Sequence, residues 1–99
     1  MSNLSYETNL VLDNGITISI VWALDSFSSA YKGSSASSPS ATFEVALFVD
    51  GRAYTIEECS SFLGNIIGWA TREEIASVVF RAASATAEDV AGGRKAPTR

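Results

Sequence analysis

Histidine does not occur in this 99-residue chain. Its absence removes the usual general base near neutral pH, the commonest metal ligand, and every Ser-His or Cys-His nucleophile arrangement. Cysteine occurs once, as Cys59. A lone thiol makes no internal disulfide and builds neither a four-cysteine nor a mixed cysteine–histidine zinc site within one chain, so a reducing compartment fits best. Neither G-x-G-x-x-G nor G-x-x-x-x-G-K-[ST] is present, which leaves no phosphate loop, and there is no Asp-rich calcium loop. No run of about 18 apolar residues occurs, which excludes a conventional membrane-spanning helix. The first residues, MSNLSYET, lack the basic and apolar regions of a signal peptide. A cytoplasmic, non-catalytic protein is expected, with no metal and no cofactor.

Bases are scarce and unevenly placed. Residues 1 to 91 hold all eleven acids and only Lys32, Arg52, Arg72 and Arg81, a net charge of −7, whereas Arg94, Lys95 and Arg99 give the last eight residues +3. A field of that sign repels phosphate backbones and favours basic protein surfaces, so a nucleic-acid partner is not expected. With 46% hydrophobic and 18% charged residues the chain is apolar enough to fold. Its length suits one domain, taken as residues 1–90, followed by a flexible basic tail over 91–99.

The pattern along the chain predicts an α+β fold. Asn14-Gly15 and Asp50-Gly51 each separate two strand-like stretches and suit two-residue turns with positive φ at both positions. The predicted hairpins are 5–13/16–24 and 42–49/52–56, forming a small antiparallel sheet. Ile16, Ile18, Ile20, Trp22 and Leu24 alternate with more polar neighbours and mark one buried face. Phe43, Val45, Leu47 and Val49 repeat the alternation, but Ala46 and Phe48 make the other face of that strand unusually apolar. Cover by the chain itself and contact with another copy both remain open there. The short RAYTI strand is a candidate exposed edge, through which a chain this small would gain stability as a homodimer.

Helix signals begin at Thr55. Thr55 with Glu58, and Thr71 with Glu74, have the form of capping boxes, predicting a short helix over 56–63 and a longer one over 72–85. In the longer helix Ile75, Val78, Val79, Ala82 and Ala83 make one apolar arc. Cys59 falls in the short helix as a buried structural residue and a staple partner for Tyr54. The adjacent carboxylate pairs Glu57-Glu58, Glu73-Glu74 and Glu88-Asp89 diverge by about 100° on a helix and form no acid–base dyad. GNIIGW between the helices reads as a turn or very short strand on the core, with Trp69 as a core or staple residue.

Residues 25–40, DSFSSAYKGSSASSPS, contain eight serines and are too long for a tight turn. DSFSSAYK is expected to lie against the body and GSSASSPS to be mobile. Phe27 and Tyr31, four apart, suit one face of a helical turn, either pinning the loop or contacting a partner. Phe27, Tyr31, Lys32, Glu44 and Phe48 are the candidate protein-binding residues. A small-ligand pocket lined by Trp22, Tyr31 and Trp69 is an alternative.

ITISIVW after Asn14-Gly15, a loop with Tyr31, FEVALFVDG at 43–51 and GWATREEIA at 68–76 resemble a group of small uncharacterised proteins of phages and prophages. The resemblance spans about residues 9–80. Such proteins often carry glycine or cysteine near the loop start where this chain has Ala23 to Phe27, so no active site carries over. The resemblance implies an accessory protein in the host cytoplasm that binds a host or viral protein, inhibition of a host system being one such role. A self-assembling homo-oligomeric protein is the alternative.

Overall fold

The structure is a computed structural model that describes residues 5–54, 62–63 and 66–86. Among these residues are six strands, β1 (Ser5–Val11), β2 (Ile16–Ala23), β3 (Phe43–Val49), β4 (Arg52–Tyr54), β5 (Phe62–Leu63) and β6 (Ile66–Ala70), one helix, α1 (Arg72–Ala83), and a 3₁₀ turn, Ser29–Lys32. The fold is α+β: one antiparallel sheet in the order β1-β2-β3-β6-β5, with a helix on one face. β3 pairs β2 along one edge, while its other edge is divided between β4, opposite Leu47 to Val49, and β6, opposite Phe43 to Ala46.

Alternation in β2 and β3 builds the core. Ile16, Ile18, Ile20 and Trp22 face the helix beside Phe43, Val45 and Leu47, Ile67 and Ala70 extend this face on β6, and Val78 and Ala82 of α1 close over it. Complete burial contributes about 1.5–3 kcal/mol for each of the large aliphatic side chains. On α1 the buried residues are Val78 and Ala82, with Ile75 and Val79 partly buried. Ala83, expected on that arc, is exposed because the helix turns it away from the sheet.

Both ends of α1 are tied by side chains. At the start, Thr71 Oγ1 accepts from Glu74 N at 3.1 Å and Glu74 Oε1 accepts from Thr71 N at 2.9 Å, a complete capping box. Beyond the other end, Asn14 Nδ2 donates to the carbonyls of Ala82 (2.8 Å) and Ala85 (3.0 Å). The Ala82 carbonyl, in the last turn, also accepts from Ala85 N at 3.2 Å, so Asn14 joins the hydrogen bonds that close the helix end.

Several expected boundaries are corrected. The first hairpin contracts to Ser5–Val11/Ile16–Ala23 because Leu12 N bonds the Ile16 carbonyl and Gly15 N bonds that of Leu12. This leaves a three-residue loop, Asp13-Asn14-Gly15, with positive φ at Gly15 alone. The second hairpin contracts to Phe43–Val49/Arg52–Tyr54, and Asp50 and Gly51 do take φ of 51° and 78°, as a two-residue turn of mirror-image type requires. A helix over 56–63 is not found: residues 62–63 pair with β6 as a strand, and 55–61, with Cys59, lie outside the described residues. The third hairpin, β5 with β6, is therefore new to the fold. α1 stops at Ala83 rather than 85, where Ser84 caps it. The tail 91–99 lies outside the described residues.

Candidate functional site

The loop after β2 is built by serine hydroxyls. Ser28 is fully buried, and its Oγ accepts from Ala23 N at 3.2 Å and from Ser26 Oγ at 2.8 Å, closing the end of β2. Ser28 also caps the 3₁₀ turn, which Gly33 ends at φ 90°. Ser29 Oγ accepts from the Trp22 indole at 3.2 Å, from Thr42 N at 2.9 Å and from Ser34 Oγ at 2.6 Å, joining the strand before the loop to the strand after it. Short hydroxyl side chains satisfy backbone groups locally without needing a layer of their own.

The second half of the loop, expected to be mobile, is also tied down. Arg72 reaches back from α1 and donates to the carbonyls of Ser38 (2.9 Å), Pro39 (3.0 Å) and Ala36 (3.5 Å). Ala36 packs against the core and Ala41 belongs to it. The side chains of GSSASSPS offer little to pack, and it is the carbonyls that supply the anchorage.

Phe27 then meets β6. Between Phe43 and Val45 the β3–β6 register slips, so Gly68 and Trp69 together face Glu44. This bulge turns the Trp69 N–H out of the ladder, and the Phe27 carbonyl accepts it at 2.7 Å. From the outer face of β3, Glu44 Oε1 accepts the Phe27 N–H at 2.9 Å. The Phe27 and Trp69 rings lie 5.3 Å apart at 50°. Trp69 has φ of 51°, a region that bulky residues rarely occupy. Such strain costs on the order of 1–3 kcal/mol. One hydrogen bond of about 1 kcal/mol and an aromatic pair of about 0.5–1.5 kcal/mol offset most of it. Gly68 is required by the same approach, since a Cβ there would lie 2.9 Å from Phe27 Cβ.

The result is an open hollow of about 350 Å³ lined by Leu24, Asp25, Ser26, Phe27, Tyr31 and Trp69. Its three rings stay accessible, with Phe27 49%, Tyr31 70% and Trp69 41% exposed. Asp25 is exposed and has no hydrogen-bond or ion-pair partner among the described residues. Aromatic faces beside a carboxylate attract a cation from two directions, through the ring quadrupoles and through charge.

Of the expected contact residues, Phe27 and Tyr31 line the hollow. Glu44 lies beneath it as the tether of Phe27. Lys32 ends the 3₁₀ turn and is exposed but does not line the hollow. Phe48 lies four residues along β3 from Glu44, about 13 Å at strand rise, half-buried and paired with Thr17 and Ala53. The alternative pocket of Trp22, Tyr31 and Trp69 does not form, because Trp22 is buried in the core at 5% exposure. Trp69, expected as a core or staple residue, is half-exposed. Leu24 and Asp25 were not among the expected lining residues. Leu24 continues the alternation of β2, but the turn closed by Ser26 N on the Ala23 carbonyl takes it out of the strand.

Among the described residues no group of three or more Cys, Asp or Glu side chains gathers as a metal site, and no helix is long and apolar enough to cross a membrane. Compared with protein families, curated proteins and solved structures, the chain matches none.

Proposed function

We propose that the chain is a non-catalytic binding protein that receives a basic side chain of a partner protein in the hollow formed by Leu24, Asp25, Phe27, Tyr31 and Trp69. The observation that carries this reading is the Phe27–Trp69 pair, an accessible aromatic wall held open by a strained backbone and placed beside Asp25, which has no partner among the described residues. An arginine or lysine head over such rings gains about 0.5–2 kcal/mol. The net charge of −7 over residues 1–91 steers basic surfaces toward it. A histidine-free sequence supports binding over catalysis. In the phage or prophage setting that the sequence resemblance implies, the partner is a host or viral protein whose basic surface becomes occupied.

Titration of the ¹⁵N-labelled protein with short arginine- and lysine-containing peptides tests this directly. Shifts are expected at residues 24–31 and at the Trp69 indole, weakening with added salt. Trp69→Gly should abolish them while relieving the positive-φ strain, so the variant stays folded. Acidic peptides giving the same shifts, or basic peptides giving none, would refute it.

A further inference from the structure

The other distinctive surface is the outer edge of β1. Among the described residues nothing pairs with it. Seven residues without proline, lysine or a bulge form an unusually bare edge, with Glu7 as its single charge. Its apolar side chains are also uncovered. Tyr6 and Leu10 lie opposite Trp22 and Ile18 and so share the core face, yet they are 47% and 38% exposed. The Tyr6 and Phe43 rings meet edge-to-face at a centroid distance of 6.0 Å, and the core layer continues outward to the sheet margin.

The hydrogen-bonding phase of the edge follows from the turn. Leu12 N donates to the Ile16 carbonyl, so Leu12 and Ile16 are a hydrogen-bonded pair. In an antiparallel ladder such pairs alternate, so Leu10, Thr8 and Tyr6 turn their backbone groups toward β2. Those of Glu7, Asn9 and Val11 point outward and are available.

We propose that a second copy of this chain pairs with β1 antiparallel about a two-fold axis at Thr8, continuing the sheet across the dimer. That register sets Glu7 and Asn9 against each other as hydrogen-bonded pairs and brings Tyr6 opposite Leu10 of the partner subunit, twice over, on the core face. Competing registers are poorer. Centring on Glu7 opposes two like charges. Centring on Asn9 gives up both Tyr6–Leu10 pairs. Shifting by one residue sets outward-facing groups against inward-facing ones and inverts the faces. An interface of one strand per subunit belongs to the small, transient class, so the dimer forms reversibly with concentration.

Cysteine scanning in a Cys59→Ser background tests the register. Thr8→Cys sits opposite itself in a non-hydrogen-bonded pair, where Cα atoms about 4.5 Å apart permit a disulfide. It should form covalent dimers under mild oxidant. Glu7→Cys and Asn9→Cys should each crosslink poorly alone and well when mixed. Sedimentation equilibrium of the unmodified chain from about 1 µM to 1 mM should show monomer and dimer. Asn9→Pro removes an outward N–H without touching the β2 ladder, and should keep the circular dichroism while weakening association by about tenfold or more. A native chain monomeric throughout, Asn9→Pro associating undiminished, or Glu7→Cys crosslinking alone as fast as Thr8→Cys would overturn the assignment.

Discussion

Asn14 performs two tasks that different substitutions separate. Its Oδ1 accepts from Ile16 N at 3.2 Å within the turn, and its Nδ2 donates to Ala82 and Ala85 beyond the turn. If only the turn mattered, Asn14→Asp would be nearly neutral, since a carboxylate oxygen accepts from Ile16 N as the amide oxygen does. The helix contacts reverse that expectation. A carboxylate cannot donate, so both bonds to carbonyls are lost, about 1 kcal/mol each. It also places negative charge at the negative end of α1, adding about 0.3–1 kcal/mol. Asn14→Asp should therefore cost about 2.3–3 kcal/mol, and Asn14→Ala, which loses three hydrogen bonds but adds no charge, should cost about 3 kcal/mol. For a domain of this size each kcal/mol lowers Tm by roughly 4–8 °C, so both variants should melt more than about 8 °C below the parent. Urea and thermal unfolding followed by far-ultraviolet circular dichroism measure this. An Asn14→Asp variant within about 0.5 kcal/mol of the parent would show that the helix end is held by something other than Asn14, and the reasoning would fail.

Gly68→Ala pushes a methyl into Phe27, and overpacking of this kind costs about 1–3 kcal/mol; urea unfolding should register the loss, with the Trp69 indole resonance displaced. Ser29→Ala removes the acceptor shared by Trp22, Thr42 and Ser34 and should lower stability by about 1–3 kcal/mol. It should also weaken basic-peptide binding in the same titration although Ser29 does not line the hollow. Thr42 Oγ1 is buried without a hydrogen-bond partner among the described residues, so Thr42→Val, of nearly equal shape, should leave Tm unchanged or raise it by a few degrees. Arg72→Ala frees three loop carbonyls and should raise amide exchange over residues 34–41 selectively, with a stability loss of about 1 kcal/mol.

What could be read in advance was local. The Thr71–Glu74 capping box, the positive-φ pair Asp50-Gly51 and the alternation of β2 each depend on residues a few positions apart. The misreadings were long-range. Asn14 reaches carbonyls 68 and 71 residues away, and nothing adjacent to Asn14-Gly15 distinguishes a hairpin turn from one that also ties a helix. Phe62-Leu63, expected as the end of a helix, belongs to a strand because β6 is beside it, and pairing there outweighs local propensity. The candidate site was half legible. Phe27 and Tyr31 stood out as aromatics in a serine loop, whereas Trp69 became part of the site through a register slip that depends on where β3 and β6 meet. Gly68 beside an aromatic was the available signal, since glycine within a strand marks a bulge or close backbone approach.

The serine-rich loop and the strained tryptophan solve one problem from two sides. A binding surface gains affinity when its groups are fixed before the partner arrives, yet a loop lying over the end of a small sheet has little core with which to fix them. Here the backbone is fixed by hydroxyls from Ser26, Ser28, Ser29 and Ser34 and by the reach of Arg72, none of which fills the space the rings need. The rings themselves carry only two side-chain torsions each, so little freedom is left to lose on contact. The Trp69 backbone is the complement: its N–H, released from the ladder by the bulge, holds Phe27 at a spacing that leaves room between Phe27, Tyr31 and Leu24. A relaxed strand at Gly68-Trp69 would return that N–H to β3, release the Phe27 carbonyl, and remove the wall on which the hollow depends.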